Sequence, residues 1–106
     1  MKRFASIIKL KSEAYKEEYK RRHDNIWPEL SDLISRRGIR NYSIWYFDKY
    51  LFLYYETDED GVKPLLAKED IELSEKWEEY MSDIIDHVED ANTGGDITLE
   101  RMFLHI

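Results

Sequence analysis

Two runs dense in aromatic and β-branched or leucine residues, residues 39–47 and 51–56, are separated only by Asp48-Lys49-Tyr50. Strands joined by so short a link can only fold back on one another, so an antiparallel hairpin stands at the centre of this chain. Everything else must be built against it. Side chains alternate along a strand, so Tyr42, Ile44 and Tyr46 share one face of the first run while Ser43, Trp45 and Phe47 share the other. Each side of the sheet therefore receives aromatic rings.

The flanking segments read as one further strand and helices. Residues 4–10 form a short apolar run that stops at Lys11-Ser12, where Ser12 can cap a helix carrying Glu13 in its first turn. Tyr15, Tyr19 and His23 then recur every four residues, which predicts three rings along one helix face until Asp24-Asn25 interrupts it. Trp27 is pushed toward extended backbone by Pro28, and Pro28 is preset for the first turn of a second helix with Leu30, Leu33 and Ile34 as its buried stripe. Glu29 at its start, Arg36 and Arg37 at its end and Gly38 beyond suit the helix dipole and a glycine cap.

After the hairpin, Asp58-Glu59-Asp60-Gly61 reads as a loop and residues 62–67 as a short helix with Pro64 in its first turn. Leu73, Trp77, Tyr80, Met81 and Ile84 keep one apolar stripe on a helix spanning roughly residues 71–86. Asn92-Thr93-Gly94-Gly95 ends that unit, and residues 97–106 read as a last strand. Strand, helix pair, strand, strand, helix, strand predicts an α+β fold: a ferredoxin-like βαββαβ sandwich, a four-stranded antiparallel sheet with helices on one face. A chain of 106 residues makes this a single domain, residues 1–106. Fifteen aromatic residues are too many for one helix-covered face, so the other face is expected to be a dimer contact, a ligand pocket or both. That expectation is a homodimer of the dimeric α/β barrel type.

Charge narrows the partners. A net charge of −7 repels a phosphate backbone unless bases cluster, and Lys20, Arg21 and Arg22, the one cluster, are spread around a helix axis as a solvated face. No nucleic-acid partner is expected. The chain has no cysteine, which removes disulfides, thiolate metal sites and a cysteine nucleophile together. It has no apolar stretch long enough to span a bilayer, and its first apolar run is too short for a signal peptide, so no membrane partner and a cytoplasmic location are expected.

Glycine-rich phosphate loops, nucleophile elbows and H-E-x-x-H strings are all missing. His23-Asp24 and residues 87–90 offer nitrogen and oxygen donors without the two-histidine spacing that fixes a metal, so no metal is expected. Of three histidines only His23 lies among aromatics at helical spacing, one turn after Tyr19. A histidine can give and take a proton near neutral pH, and a neighbouring tyrosine can orient a hydroxylated substrate; a dipole-favoured histidine at a helix end is the structural alternative. Tyr42 and Trp77 are likewise double-valued, as core rings or as surfaces for the C–H faces of a sugar.

The string EEYKRRHDNIWPEL at residues 17–30 resembles the L-rhamnose mutarotase family, small cofactor-independent sugar epimerases of ferredoxin-like fold that pair into dimers. NYSI at residues 41–44 and KWEEYM at residues 76–81 resemble its other two signatures, in the same order. The resemblance implies that His23 is the proton donor and that Tyr19, Tyr42 and Trp77 contact the sugar, with no cofactor. One departure stands out. Family members often carry two consecutive tryptophans, and here Glu78 follows Trp77, which implies a substrate-binding pocket with one polar wall.

The implied reaction interconverts α and β anomers of L-rhamnose or a related aldose, and it needs proton transfer but no redox change, metal or nucleophile. Two alternatives carry different expectations. A haem-degrading or small-molecule oxygenase of the same dimeric class would use His23 as an iron ligand or base, and a non-catalytic dimer module would bind no aldose.

Overall fold

The first strand, β1 (Lys2–Leu10), pairs antiparallel with β3 (Tyr50–Thr57) in a register that runs from Lys2 opposite Thr57 to Lys9 opposite Tyr50. β3 in turn pairs with β2 (Arg40–Phe47). The structure, a computed structural model, describes residues 1–88 and 97–106. Its remaining elements are a 3₁₀ turn (Glu13–Tyr15), α1 (Lys16–Asp24), α2 (Pro28–Arg36), α3 (Lys68–Met81), β4 (Ile85–Asp86) and β5 (Ile97–Thr98). The sheet order is β2-β3-β1-β4, with β5 also on β1. The fold is α+β with an antiparallel sheet, as the segment order predicts.

The fourth lane of the sheet is shared. β4 pairs with Lys9 and Leu10, and β5 pairs with Ser6 and Ile7. Because β3 occupies the other edge of β1, β4 and β5 lie end to end along the same edge. The strand expected over residues 97–106 is thus shorter: ladder pairing stops after the Leu99 N–H donates to the Ala5 carbonyl at 2.7 Å. Residues 99–106 form no regular element, and Met102, Phe103 and Ile106 stay exposed.

Directly opposed residues share a face. Phe4, Ile8, Leu10, Leu51, Leu53 and Tyr55 therefore share the inner face with Tyr42, Ile44 and Tyr46, and the helices cover it. Leu10, Tyr19, Leu51, Met81 and Ile84 form the buried cluster. The outer face carries Trp45 and Phe47, 68% and 72% exposed.

Two backbone devices set which face is which. Asp48 and Lys49, the two residues between β2 and β3, both take positive φ, 49° and 71°, the twist that a two-residue hairpin turn requires. Tyr50, expected in the turn, belongs to β3. At the far end of β2 the register shifts between Arg40 and Ser43, with Asn41 at φ 51° as the bulged residue. Asn41 Nδ2 donates to Glu56 Oε1 at 2.6 Å, which holds the bulge against β3.

The helices depart from expectation at their ends. The Ser12 hydroxyl accepts from the Ala14 N–H at 3.2 Å, but the turn it caps is 3₁₀, so Tyr15 leaves the stripe and is exposed. Gly38, at φ 81°, closes α2: its N–H reaches the Ser35 carbonyl and the Ile39 N–H the Ile34 carbonyl. No helix forms over residues 62–67. The Lys63 N–H donates to the Arg37 carbonyl at 3.0 Å and its own carbonyl accepts from Arg37 Nε at 2.8 Å, so both groups are spent on α2.

α3 begins earlier than expected, with Glu69 and Asp70 in its first turn favoured by the dipole, and ends earlier, at Met81. Ile84 is fully buried and its carbonyl accepts from the Lys11 N–H at 2.9 Å, which draws the chain off the helix and into β4. Arg36 joins α2 to α3 by bonding Asp32 and both oxygens of Asp70. The Asn92-Thr93-Gly94-Gly95 break and Asp90 lie outside the described residues.

Candidate active site

Between the inner face of the sheet and helices α1, α2 and α3 lies a cavity of about 910 Å³. Tyr19 and His23 line it from α1, Tyr42 and Tyr46 from β2, Tyr55 from β3, and Ser74, Trp77 and Glu78 from α3. Leu10 and Leu51 belong to its floor. All five residues expected from sequence, Tyr19, His23, Tyr42, Trp77 and Glu78, meet at this one cavity.

His23 sits at the penultimate position of α1, half buried. Its ring stacks on Tyr19 at 4.2 Å and 26°, and meets Trp77 edge-on at 5.5 Å and 84°. Nδ1 lies 3.1 Å from the Tyr19 carbonyl oxygen. A carbonyl can only accept, so Nδ1 carries the hydrogen and the lone pair of the neutral ring is on Nε2. Burial lowers the imidazole pKa from its ordinary 6.5, against smaller upward pulls from the Tyr19 carbonyl and Asp24. A histidine kept as a cation for the helix dipole would be pushed the other way. At neutral pH this ring is therefore a base with one free nitrogen.

The tyrosines are the opposite kind of group. Burial raises the Tyr19 hydroxyl well above its ordinary 10, and Tyr42 adds to the effect. Tyr42 is pushed up to about 12, first by burial and then by Tyr55, although 39% of the residue is open. Both phenols stay protonated and can donate. No described residue hydrogen-bonds either hydroxyl.

Trp77 is held in place by rings on two sides. Trp27, in the residue before α2, meets it edge-on at 5.0 Å and 87° and stacks on Tyr80 at 5.5 Å. Glu78, the next residue, is exposed at the cavity wall and forms no ion pair or hydrogen bond with another described residue. Lys20 and Asp24, which also line the cavity, pair at 2.8 Å, and Lys16 lies over the Tyr46 ring at 4.7 Å.

Sequence reasoning placed Arg22 on a solvated face, and this is corrected. Arg22 is only 8% exposed: its guanidinium bonds Glu18, the Tyr80 carbonyl and both oxygens of Asp83, and it lies 4.5 Å above the Tyr80 ring. It ties α1 to the end of α3, the two helices that bring His23 and Trp77 together. Only the Glu18 partner, four residues away, was visible as a helix pair. Tyr46, Tyr55 and Ser74 were also missed as lining residues; strand alternation signalled Tyr46 alone.

The arrangement combines a neutral imidazole, protonated phenols and an aromatic wall, the equipment for moving a proton on a polyhydroxylated ring. Comparison with known proteins agrees with that chemistry. The family model described as L-rhamnose mutarotase matches residues 3–105. The chain is 40% identical over 106 residues to the L-rhamnose mutarotase of Bacteroides thetaiotaomicron, covering 97% of each chain. It is 39% identical over 87 residues to that of Listeria monocytogenes, covering 80% of this chain and 81% of the relative. The crystal structure of L-rhamnose mutarotase from Formosa agariphila superposes with a TM-score of 0.79 at 30% identity, covering all of both chains.

Proposed function

The chain belongs to the L-rhamnose mutarotase family, and on that premise we propose that it interconverts the α and β anomers of L-rhamnose or a related aldose, with His23 as the proton-transfer residue. The observation that carries the proposal is the single cavity shared by Tyr19, His23, Tyr42, Trp77 and Glu78.

Neutral His23 enters as a base. Nε2 takes the proton of the anomeric hydroxyl, the C1–O5 bond breaks, and the imidazolium gives the same proton to the ring oxygen, which is bonded to the same carbon. The open aldehyde turns about C1–C2, and the reverse steps close the ring on its other face. The proton donor implied by the family resemblance is thus an acid only after it has been a base. Tyr19 and Tyr42 donate to sugar hydroxyls, Trp77 covers a C–H face, and Glu78 supplies a polar wall.

A positioned acid or base contributes roughly 10² to 10⁴ in rate, about 3 to 5 kcal/mol of barrier. Anomer exchange measured by saturation-transfer NMR on equilibrated L-rhamnose tests this. The wild type should accelerate exchange, and His23→Ala, shown folded by circular dichroism, should lose roughly 10² to 10⁴ of that acceleration. A folded His23→Ala variant as fast as wild type would remove His23 from the chemistry.

The proposal includes a cytoplasmic homodimer without nucleic-acid or membrane partners. The exposed Trp45 and Phe47 on the uncovered sheet face support the dimer, and the lack of cysteine suits a reducing compartment. Among the described residues no helix is long and apolar enough to cross a membrane.

A further inference from the structure

Tyr55 stands opposite Phe4 in the β1–β3 register, on the inner face with Tyr42. Its ring stacks on Phe4 at 5.1 Å and 24° on one side and lies 5.5 Å from Tyr42, tilted by 33°, on the other. Phe4 has no polar atom, so this stack fixes the plane of the Tyr55 ring without engaging its hydroxyl. Nor does any other described residue hydrogen-bond that hydroxyl. Tyr54, the next residue on the opposite face, shows the contrast, since its hydroxyl donates to Glu56 Oε2 at 2.6 Å. Tyr55 lines the cavity, half buried, with a donor that no described residue uses.

The rings are ordered. Tyr19 stacks directly on His23, whereas the ring contacts of Tyr55 are with Phe4 and Tyr42 and not with His23 or Tyr19. An aldose whose anomeric carbon is at His23 meets Tyr55 last. We propose that Tyr55 is a specificity-determining residue for anomer exchange, its hydroxyl bonding the sugar hydroxyl most distant from the anomeric carbon. This deepens the mutarotase reading and rests on it. The site then favours an aldose bearing that hydroxyl over its deoxy analogue, because the analogue leaves a fixed phenol without a partner.

The test compares L-rhamnose with its 4-deoxy analogue in wild type and Tyr55→Phe, a change that keeps the ring and its stack. One neutral hydrogen bond predicts that Tyr55→Phe raises KM for L-rhamnose about 3- to 10-fold with kcat within about twofold, while KM for the 4-deoxy sugar stays the same in both proteins. An unchanged KM for L-rhamnose, or an equal rise for both sugars, overturns the proposal. Should the variant fail to fold, the wild type decides alone: its KM for the 4-deoxy sugar should be about 3- to 10-fold the higher, and equal values overturn the proposal. If wild type exchanges no anomers, the mutarotase reading fails separately. Direct titration of both sugars then tests Tyr55 by the same ratio of affinities, and equal affinities overturn it.

Discussion

His23 Nδ1 lies 3.1 Å from the carbonyl oxygen of Tyr19, the residue one helical turn earlier whose ring also stacks on the imidazole. One residue therefore fixes the tautomer of His23 through its backbone and the plane of the ring through its side chain.

The pH dependence of anomer exchange follows. Burial holds the His23 pKa below 6.5, so Nε2 is unprotonated at neutral pH and the base form is lost as pH falls. kcat/KM should be level from neutrality upward and fall on the acid side, with an apparent pKa below 6.5. Exchange rates between about pH 5 and pH 8 would check this. An acid limb centred above 6.5 would mean that a neighbouring charge outweighs burial.

Arg22 should contribute stability rather than chemistry. Arg22→Ala removes the bonds to Glu18, Asp83 and the Tyr80 carbonyl, but the Asp83 and Glu18 side chains are 63% and 34% exposed and can rehydrate. The expected loss is about 2 kcal/mol in urea unfolding, below the 3 to 5 kcal/mol of breaking a fully buried pair. A loss under about 0.5 kcal/mol would return Arg22 to the surface class.

The same network sets an acid limit. Arg21 and then Arg22 hold Glu18 down to about 2, and Arg22 holds Asp83 below its ordinary 3.8. A depressed folded-state pKa gives stability that is full above the unfolded values and lost as pH falls through the folded ones. Thermal unfolding should therefore show wild type weakening below about pH 4.5, and a flatter decline for Arg22→Ala, which has less of this stability to lose.

Glu78 should bias the choice of sugar. A carboxylate at the cavity wall accepts from a hydroxyl, and Glu78→Trp replaces that acceptor with an apolar face. Exchange across an aldose panel should shift toward deoxysugars by roughly tenfold or more, since a hydrogen bond to a charged acceptor is worth about 1.5 to 3 kcal/mol. An unchanged ranking would show that Glu78 faces solvent.

Sedimentation at micromolar concentration should give about twice 12.9 kDa. Trp45→Glu on the outer face should lower that mass, since a stable contact of more than about 1,000 Å² does not tolerate an unpaired charge at its centre. A wild-type monomer would refute the dimer.

Local periodicity explains what could be read in advance. Tyr19 and His23 are one turn apart, and Trp77 keeps the apolar stripe of α3, so each was placed by its own helix. Arg22 and Asp83 are 61 residues apart and meet only because α1 packs against the end of α3. Ile84 fits the helical period and is nonetheless carried into the core as the chain enters β4, an ambiguity that spacing alone does not resolve. Residues 99–106 have a strand-like composition yet form no ladder beyond Leu99, since pairing is a property of the sheet and not of composition.

The left-handed pair Asp48-Lys49 has a reach far beyond its turn. A strand repeats every two residues, so a ladder displaced by a single residue would exchange the two sides of β2, delivering Trp45 and Phe47 to the helices and Tyr42, Ile44 and Tyr46 to the outside. Neither residue is glycine, and each accepts about 1 kcal/mol of backbone strain to hold this parity. Which rings of β2 the cavity presents to a sugar is thus decided in part by the backbone of two residues that do not line it. Lengthening that turn by one residue would trade the tyrosines on the β2 wall of the site for Trp45 and Phe47.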